Sequence, residues 1–406
     1  MTYRPESVGL SAERLQRLDR FLEKKYLEPG RLPCAVTLIQ RRGQIAHFSA
    51  LGLMDCERGR PVSGDAIFRI YSMTKPLTSV ALMMLVEEGR IGLDDPVHDY
   101  IPQWRNLGVY ESGTIGSFRT RRPKAPMRII DLLRHTSGLT YGFQQRTSVD
   151  AAYRELGLGE MNRSATLEDM VETLAQTPLE FSPGEAWNYS MSTDVLGYLI
   201  SKISGEPFDD FLRNRILDPL RMTDTNFYVS AAKADRLAAC YTATPEGGMK
   251  LQDDPQTSPY LREPTLASGG GGLTSTATDY LRFCRMLLNG GVLDGVRILS
   301  PKTIELMTVN HLPGGAELPD LSVSMFNEAA YAGVGFGLGF AVTLNPARTL
   351  LPGTAGDYSW GGLASTSFWI DPREELIVIF MTQLMPSSTY PLRRELRTLV
   401  YSAFES

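Results

Sequence analysis

Apolar residues recur at helical spacing over residues 11–26, at Leu15, Leu18, Phe21 and Leu22, with Ser11 placed as an N-cap and Glu13 in the first turn. The pattern then changes. Residues 35–40 and 44–49 are β-prone runs on either side of Arg41-Arg42-Gly43, which predicts a hairpin. A short β-like run ends at Ser72, and from there Leu77, Val80, Ala81, Met84 and Leu85 mark the inward face of a helix that stops at Gly89. Helices and long loops follow to about residue 290. The end of the chain turns β-like again, with predicted strands at 337–342, 365–370 and 376–381, a turn at Asp371-Pro372-Arg373-Glu374, and a closing helix over 393–404.

Strands at both ends with helices between predict an α/β architecture of the α+β type. One antiparallel sheet is built from the two termini and flanked by helices. Residues 1–80 and 285–406 are expected to form this α/β domain, and residues 81–284 an inserted, mainly helical one.

Composition narrows the function classes. The 406 residues are 43% hydrophobic, enough for a sizeable core, and 21% charged with a net charge of −5. Nothing there draws the chain toward nucleic acid or an anionic membrane, so a small molecule is the expected partner. Cys34, Cys56, Cys240 and Cys284 show no CxxC pair, which argues against a zinc knuckle and a disulfide framework and for a reducing compartment. The segment Met1-Thr2-Tyr3-Arg4-Pro5-Glu6-Ser7 leads into a charged helix without the apolar core of a signal peptide. No apolar stretch is long enough to span a bilayer. A cytoplasmic location is expected.

The candidate chemistry centres on Ser72 and Lys75. Residues three apart on a helix lie on one face, about 5–6 Å between Cβ atoms, so Ser72-Met73-Thr74-Lys75 sets an amine beside a hydroxyl. Serine becomes a nucleophile when a neighbouring base takes its proton, and Ser-Lys pairs are one recurring solution. A second match, Ser230-Ala231-Ala232-Lys233, follows a turn-like stretch and reads as a serine N-cap opening a surface helix. A lysine at its ordinary pKa of about 10.4 is not a base near neutrality. A tyrosine held against its ammonium can lose a proton instead. Tyr189, in the turn Pro183-Gly184-Glu185-Ala186-Trp187-Asn188-Tyr189 before a helix, is the candidate, although any one of 17 tyrosines is by itself more often packing.

Trp360-Gly361-Gly362-Leu363 is expected to enter the strand that carries Ser365 and Phe368. Two glycines at a strand start admit a close backbone or ligand, and an amide there together with that of Ser72 would hold an oxyanion. The histidines His47, His98, His135 and His311 lack metal-ligand spacing; His135, at a helix end, suits a structural role. The glycine run 269–272 lacks the phosphate-loop signature and reads as a loop before a helix capped by Thr276 and Asp279. Arg119, Arg121, Arg122 and Lys124 read as a solvated loop, with residues 106–126 a candidate rim or lid of the acyl pocket.

In order along the chain, Ser72-Met73-Thr74-Lys75, the run Leu132-Leu133-Arg134-His135-Thr136-Ser137-Gly138-Leu139, Pro183-Gly184 before Tyr189-Ser190, Gly271-Gly272-Leu273-Thr274-Ser275-Thr276 and Trp360-Gly361-Gly362 resemble the serine β-lactamase and penicillin-binding protein superfamily. The resemblance covers nearly the whole chain and is closest to the class C β-lactamase-like carboxylesterases of family VIII. It implies a β-lactamase/transpeptidase-like fold and an acyl-enzyme on Ser72. Tyr189 would act as base, Lys75 would keep it ionised, the amides of Ser72 and Leu363 would form the oxyanion site, and no metal or organic cofactor would be needed.

Two departures bear on substrate. Trp360-Gly361-Gly362 stands where β-lactamases carry Lys-Thr-Gly, and Tyr189-Ser190-Met191 where class C enzymes carry Tyr-x-Asn. Each lost polar contact to a β-lactam would be worth roughly 1.5–3 kcal/mol. Both point to neutral esters, and small, short-chain esters are the expected substrates. The rivals are β-lactam hydrolysis, cephalosporins above all, acyl transfer to an alcohol, and a scaffold without catalysis.

Overall fold

The computed structural model describes residues 4–159, 165–324 and 332–405; the expected N-terminal start at residues 1–3 lies outside them. Its frame is one antiparallel sheet of eight strands: β1 (Cys34–Arg41), β2 (Gln44–Asp55), β3 (Arg60–Pro61), β4 (Val334–Phe336), β5 (Ala341–Thr343), β6 (Tyr358–Gly361), β7 (Ser367–Asp371) and β8 (Leu376–Met381). Their spatial order is β4-β5-β6-β7-β8-β1-β2-β3. The two ends of the chain meet at the centre, where β1 pairs with β8 with Leu38 opposite Ile379. Both strands are buried throughout, which is why they read as apolar runs rather than as alternating ones.

One face of the sheet packs on α1 (Ala12–Leu22) and, at the other end of the chain, α6 (Leu392–Tyr401). Ser11 caps α1 as expected, accepting from the Arg14 N–H at 3.5 Å. The opposite face belongs to the main core with α2 (Thr74–Glu87) and α5 (Ala277–Leu288). Helix α2 is buried all round from Thr74 to Leu85 rather than along one stripe. It is a central helix, packed against α4 (Ser192–Ser204). With α3 (Leu167–Leu174), further helices such as Ser148–Glu155 and two small hairpins, these helices make up the middle of the chain. The expected domain boundaries at 80/81 and 284/285 fall inside α2 and α5, and α5 packs directly on β8.

Three local expectations need correction. The β1–β2 turn holds two residues, Arg42 and Gly43, both at positive φ (49° and 76°), so Arg41 is the last residue of β1. The run 337–342 is not one strand: residues 337–340 are the tip of the β4–β5 hairpin and β5 begins at Ala341. Gly339 takes φ 100° there, and a Cβ on it would stand 2.4 Å from the Ser79 hydroxyl. Trp360 and Gly361 end a strand of their own, β6, and residues 362–366 form the turn into β7. The helix over 277–288 begins as expected, with Thr276 accepting from the Asp279 N–H at 3.1 Å. All four cysteines are free thiols. Among the described residues no helix is long and apolar enough to cross a membrane.

Candidate active site

Phe68–Arg69 pairs antiparallel with Thr274–Ser275, and Arg69, fully buried, is held by Asp253 at 2.6 Å and Ser258 at 3.0 Å. This anchor fixes where the next residues turn. Tyr71 adopts φ 43°, uncommon for a non-glycine residue, and the chain enters a 3-10 turn (Tyr71–Met73) that runs into α2. Ser72 is thereby set, half-buried, at a helix start, where the first amides have no intrahelical acceptor.

Lys75, one turn on and 2% exposed, donates to Ser72 Oγ at 3.3 Å, to Tyr141 OH at 3.1 Å and to the Gly270 carbonyl at 2.6 Å. Tyr189 OH lies 2.5 Å from Ser72 Oγ, and the Lys75 ammonium stands 4.5 Å from the centre of the Tyr189 ring. Residues 72, 75 and 189 are therefore brought together from two distant segments. The Tyr189 backbone is pinned from both sides: its N–H donates to Ser324 Oγ at 2.7 Å, and its carbonyl accepts from Gln144 at 3.2 Å. Its ring is packed by His135, Tyr141 and Trp360 at 5.1–5.5 Å between centroids.

Two residues that the sequence reading passed over complete the cluster. Tyr141 bonds Lys75 and donates to Asp194 Oδ2 at 3.4 Å. Burial first, then the Asp194 carboxylate and Tyr189, push its hydroxyl well above the usual phenol range, so it stays protonated. Asp194, in the first turn of α4, also accepts from Ser268 Oγ at 2.5 Å and from the Gly270 N–H at 3.0 Å. The glycine run is a loop, as expected, but one that closes the site. A Cβ at Gly270 would lie 2.4 Å from Asp194 Oδ2 and 2.8 Å from Tyr141 OH. The only sequence signal was the run of four glycines itself, which marks close backbone approach without saying to what.

The Trp360 to Leu363 segment divides. Trp360 packs on Tyr189 and Phe336 in the core. Gly361 lies against the Arg393 guanidinium, where a Cβ would meet it at 2.3 Å. Gly362 lies against the Ile70 carbonyl, with a Cβ there at 2.4 Å, so the expected close approach is to the backbone just before Ser72. Leu363 lines the same cavity as Ser72, and among the described residues its N–H donates to no protein acceptor.

That cavity measures about 230 Å³, with Phe143, Leu156, Leu158, Met170, Phe227 and Leu266 on its apolar walls and no lysine or arginine among its described lining residues. Residues 106–126 do not line it. They border a separate cavity, and Arg121 and Lys124 pair with Glu185, so the expected lid over the acyl pocket is not what they form. Ser230 starts a surface 3-10 helix (Ala231–Arg236) as expected, but its side chain makes no cap bond. His135 is fully buried at φ 59°, bonds Ser190 Oγ at 3.2 Å, and is held well below the usual imidazole range by burial and by Lys75. It packs Tyr189 as a neutral ring, the structural role expected for it.

The family model described as Beta-lactamase matches residues 20–402. Protein Rv1367c of Mycobacterium tuberculosis is 36% identical over 366 residues, covering 89% of this chain and 88% of that one. Esterase EstB of Burkholderia gladioli is 31% identical over 419 residues, covering 98% of each. Among solved structures, EstCE1, described as a hydrolase with promiscuous acyltransferase activity, superposes with a TM-score of 0.81 at 28% identity over 98% of this chain and 99% of its own. With a full-length family match and an esterase relative of the same extent, the chain belongs to the β-lactamase family and is a serine hydrolase of the β-lactamase and penicillin-binding protein fold.

Proposed function

We propose that the protein is a carboxylesterase of the family VIII type, acting on small neutral esters through an acyl-enzyme on Ser72. The observation that carries this reading is the 2.5 Å approach of Tyr189 OH to Ser72 Oγ beside the Lys75 ammonium, at the base of an apolar cavity. Ser72 attacks the ester carbonyl while Tyr189, as phenolate, takes its proton. The adjacent ammonium favours that phenolate. The amides of Ser72 and Leu363 stabilise the tetrahedral oxyanion. Tyr189 then returns the proton to the leaving alkoxide, and water repeats the steps in reverse to free the acid.

Two features support small neutral esters. Among the described residues no lysine or arginine lines the cavity to meet a β-lactam carboxylate, and its volume of about 230 Å³ is below the ~300–1,000 Å³ usual for drug-sized ligands. The free cysteines support a reducing compartment such as the cytoplasm. Initial rates on short and long p-nitrophenyl esters, a penicillin and a cephalosporin test the reading. Short esters should give the highest kcat/KM; a cephalosporin turned over faster than any ester would overturn it. Acyl transfer is a second reading, supported by the likeness to EstCE1. Adding a short alcohol should then divert part of the acyl group into a new ester, and product analysis showing only free acid would exclude it.

A further inference from the structure

Leu363, whose amide is assigned to the oxyanion, sits in the turn of residues 362–366 between β6 and β7. The turn closes on itself: the Gly362 N–H donates to the Thr366 carbonyl at 2.9 Å, and the Ser365 N–H to the Gly362 carbonyl at 3.0 Å. Ser365 takes φ 67°, uncommon for a residue with a Cβ, and its hydroxyl donates to the Leu384 carbonyl at 2.7 Å. The residues around Leu363 are thus fixed from several sides.

The two glycines before Leu363 admit two different elements. Successive residues on a strand face opposite ways, so Trp360 enters the main core and Gly361 turns toward α6. A Cβ at Gly361 would overlap the Arg393 guanidinium, and one at Gly362 the Ile70 carbonyl, two residues before Ser72. Gly361 is not at positive φ, so what its missing Cβ provides is room. In that room Arg393 Nη2 donates to the carbonyls of both Gly362 and Thr366, at 3.1 Å each. One side chain ties the two ends of the turn together.

We propose that Arg393 is a positioning residue: from α6 it sets the 362–366 turn so that the Leu363 amide meets the oxyanion, and position 361 is glycine to admit it. This rests on the oxyanion role given to Leu363 above. Removing an oxyanion donor costs about 10²–10³-fold in kcat, and misplacing a reacting group by about 1 Å can cost 10²-fold. Arg393→Ala should therefore lower ester turnover by about 10–100-fold, mainly in kcat.

The test compares p-nitrophenyl acetate with its thionoester, in which sulfur, a weak acceptor, replaces the carbonyl oxygen. Wild type should prefer the ester. In Arg393→Ala and in Gly361→Ala that preference should narrow, because only the ester loses a strong bond to the Leu363 amide; general loosening would slow both substrates alike. The double variant should be within about twofold of Arg393→Ala, since both changes remove one contact. Arg394→Ala, which cuts a bond from the same helix to the Thr349 carbonyl, should keep the wild-type ratio. Thermal melting reports folding, and Gly361→Ala reads the same displacement if Arg393→Ala does not fold. A wild type that cleaves neither substrate, or both equally, would remove the oxyanion reading and the proposal with it. A wild-type preference retained by both Arg393→Ala and Gly361→Ala, or narrowed equally by Arg394→Ala, would overturn the proposal alone.

Discussion

Two tyrosines flank the Lys75 ammonium, and they differ in what stands behind them. Tyr189 faces the Ser72 hydroxyl at 2.5 Å, whereas Tyr141 faces the Asp194 carboxylate at 3.4 Å. A phenol beside a carboxylate keeps its proton, and burial holds Tyr141 there more firmly still. A phenol beside a cation and a hydroxyl has somewhere to send a proton and a source to take one from. The same side chain on two sides of one lysine can therefore serve two ends: in the proposed mechanism Tyr189 moves protons, while Tyr141 passes the hold of Asp194 on to Lys75.

Substitutions along this axis separate the two roles. Ser72→Ala removes the hydroxyl that Tyr189 faces, and ester turnover should fall by roughly 10⁶-fold, the scale of losing a serine nucleophile. Tyr189→Phe should lower kcat by about 10²–10⁴-fold, as for loss of a general base. Near-normal kcat in that variant would move the base role to Lys75. Asp194→Asn, which leaves both tyrosines in place, should cost about 10–100-fold through a lost charge-assisted hold on Gly270 and Tyr141. Tyr141→Phe should cost only about 5–10-fold, the low end of the net worth of its two hydrogen bonds, to Lys75 and Asp194. Steady-state kinetics on one p-nitrophenyl ester gives all four values. A Tyr141→Phe loss as large as that of Tyr189→Phe would erase the distinction.

The smallest effect concerns the packing behind Tyr189. His135 is held well below the usual imidazole range, so below about pH 6.5 the unfolded chain takes up a proton that the native ring refuses. Stability should therefore fall as pH drops through that value, by up to about 1.4 kcal/mol per unit. Asn tolerates the φ of 59° found at this position. His135→Asn should accordingly show a smaller loss of Tm between pH 7 and pH 5 than the wild type; an equal loss would assign the acid sensitivity elsewhere.

What could be read from the chain divides along the same line. Ser72 and Lys75 are three residues apart on one helix, so local periodicity alone sets them side by side. The frame was legible for a similar reason: β1, β7, β8 and α2 read as apolar runs and α1 as an apolar stripe, each with end signals of its own. Tyr189 needed the resemblance, because nothing local separates it from 16 other tyrosines. Tyr141 and Asp194 reach Lys75 only through the packing of the loop before residue 145 and of α4 on α2, and a contact between segments leaves no period in either. The strand β6 was hidden because its four residues end in glycine. The stretch 337–342 was misread because strand-like composition continues through a hairpin tip that only Gly339 betrays. The basic residues near 121 looked poised over the pocket, yet Glu185 draws Arg121 and Lys124 to it instead.

The most direct test of the central claim is intact-protein and peptide mass spectrometry after reaction with a fluorophosphonate serine probe. The geometry around Lys75 predicts a single adduct, mapping to the peptide that contains Ser72, slowed in Tyr189→Phe and absent in Ser72→Ala. Undiminished labelling of Ser72→Ala, or an adduct on any other serine of the wild type, would contradict it.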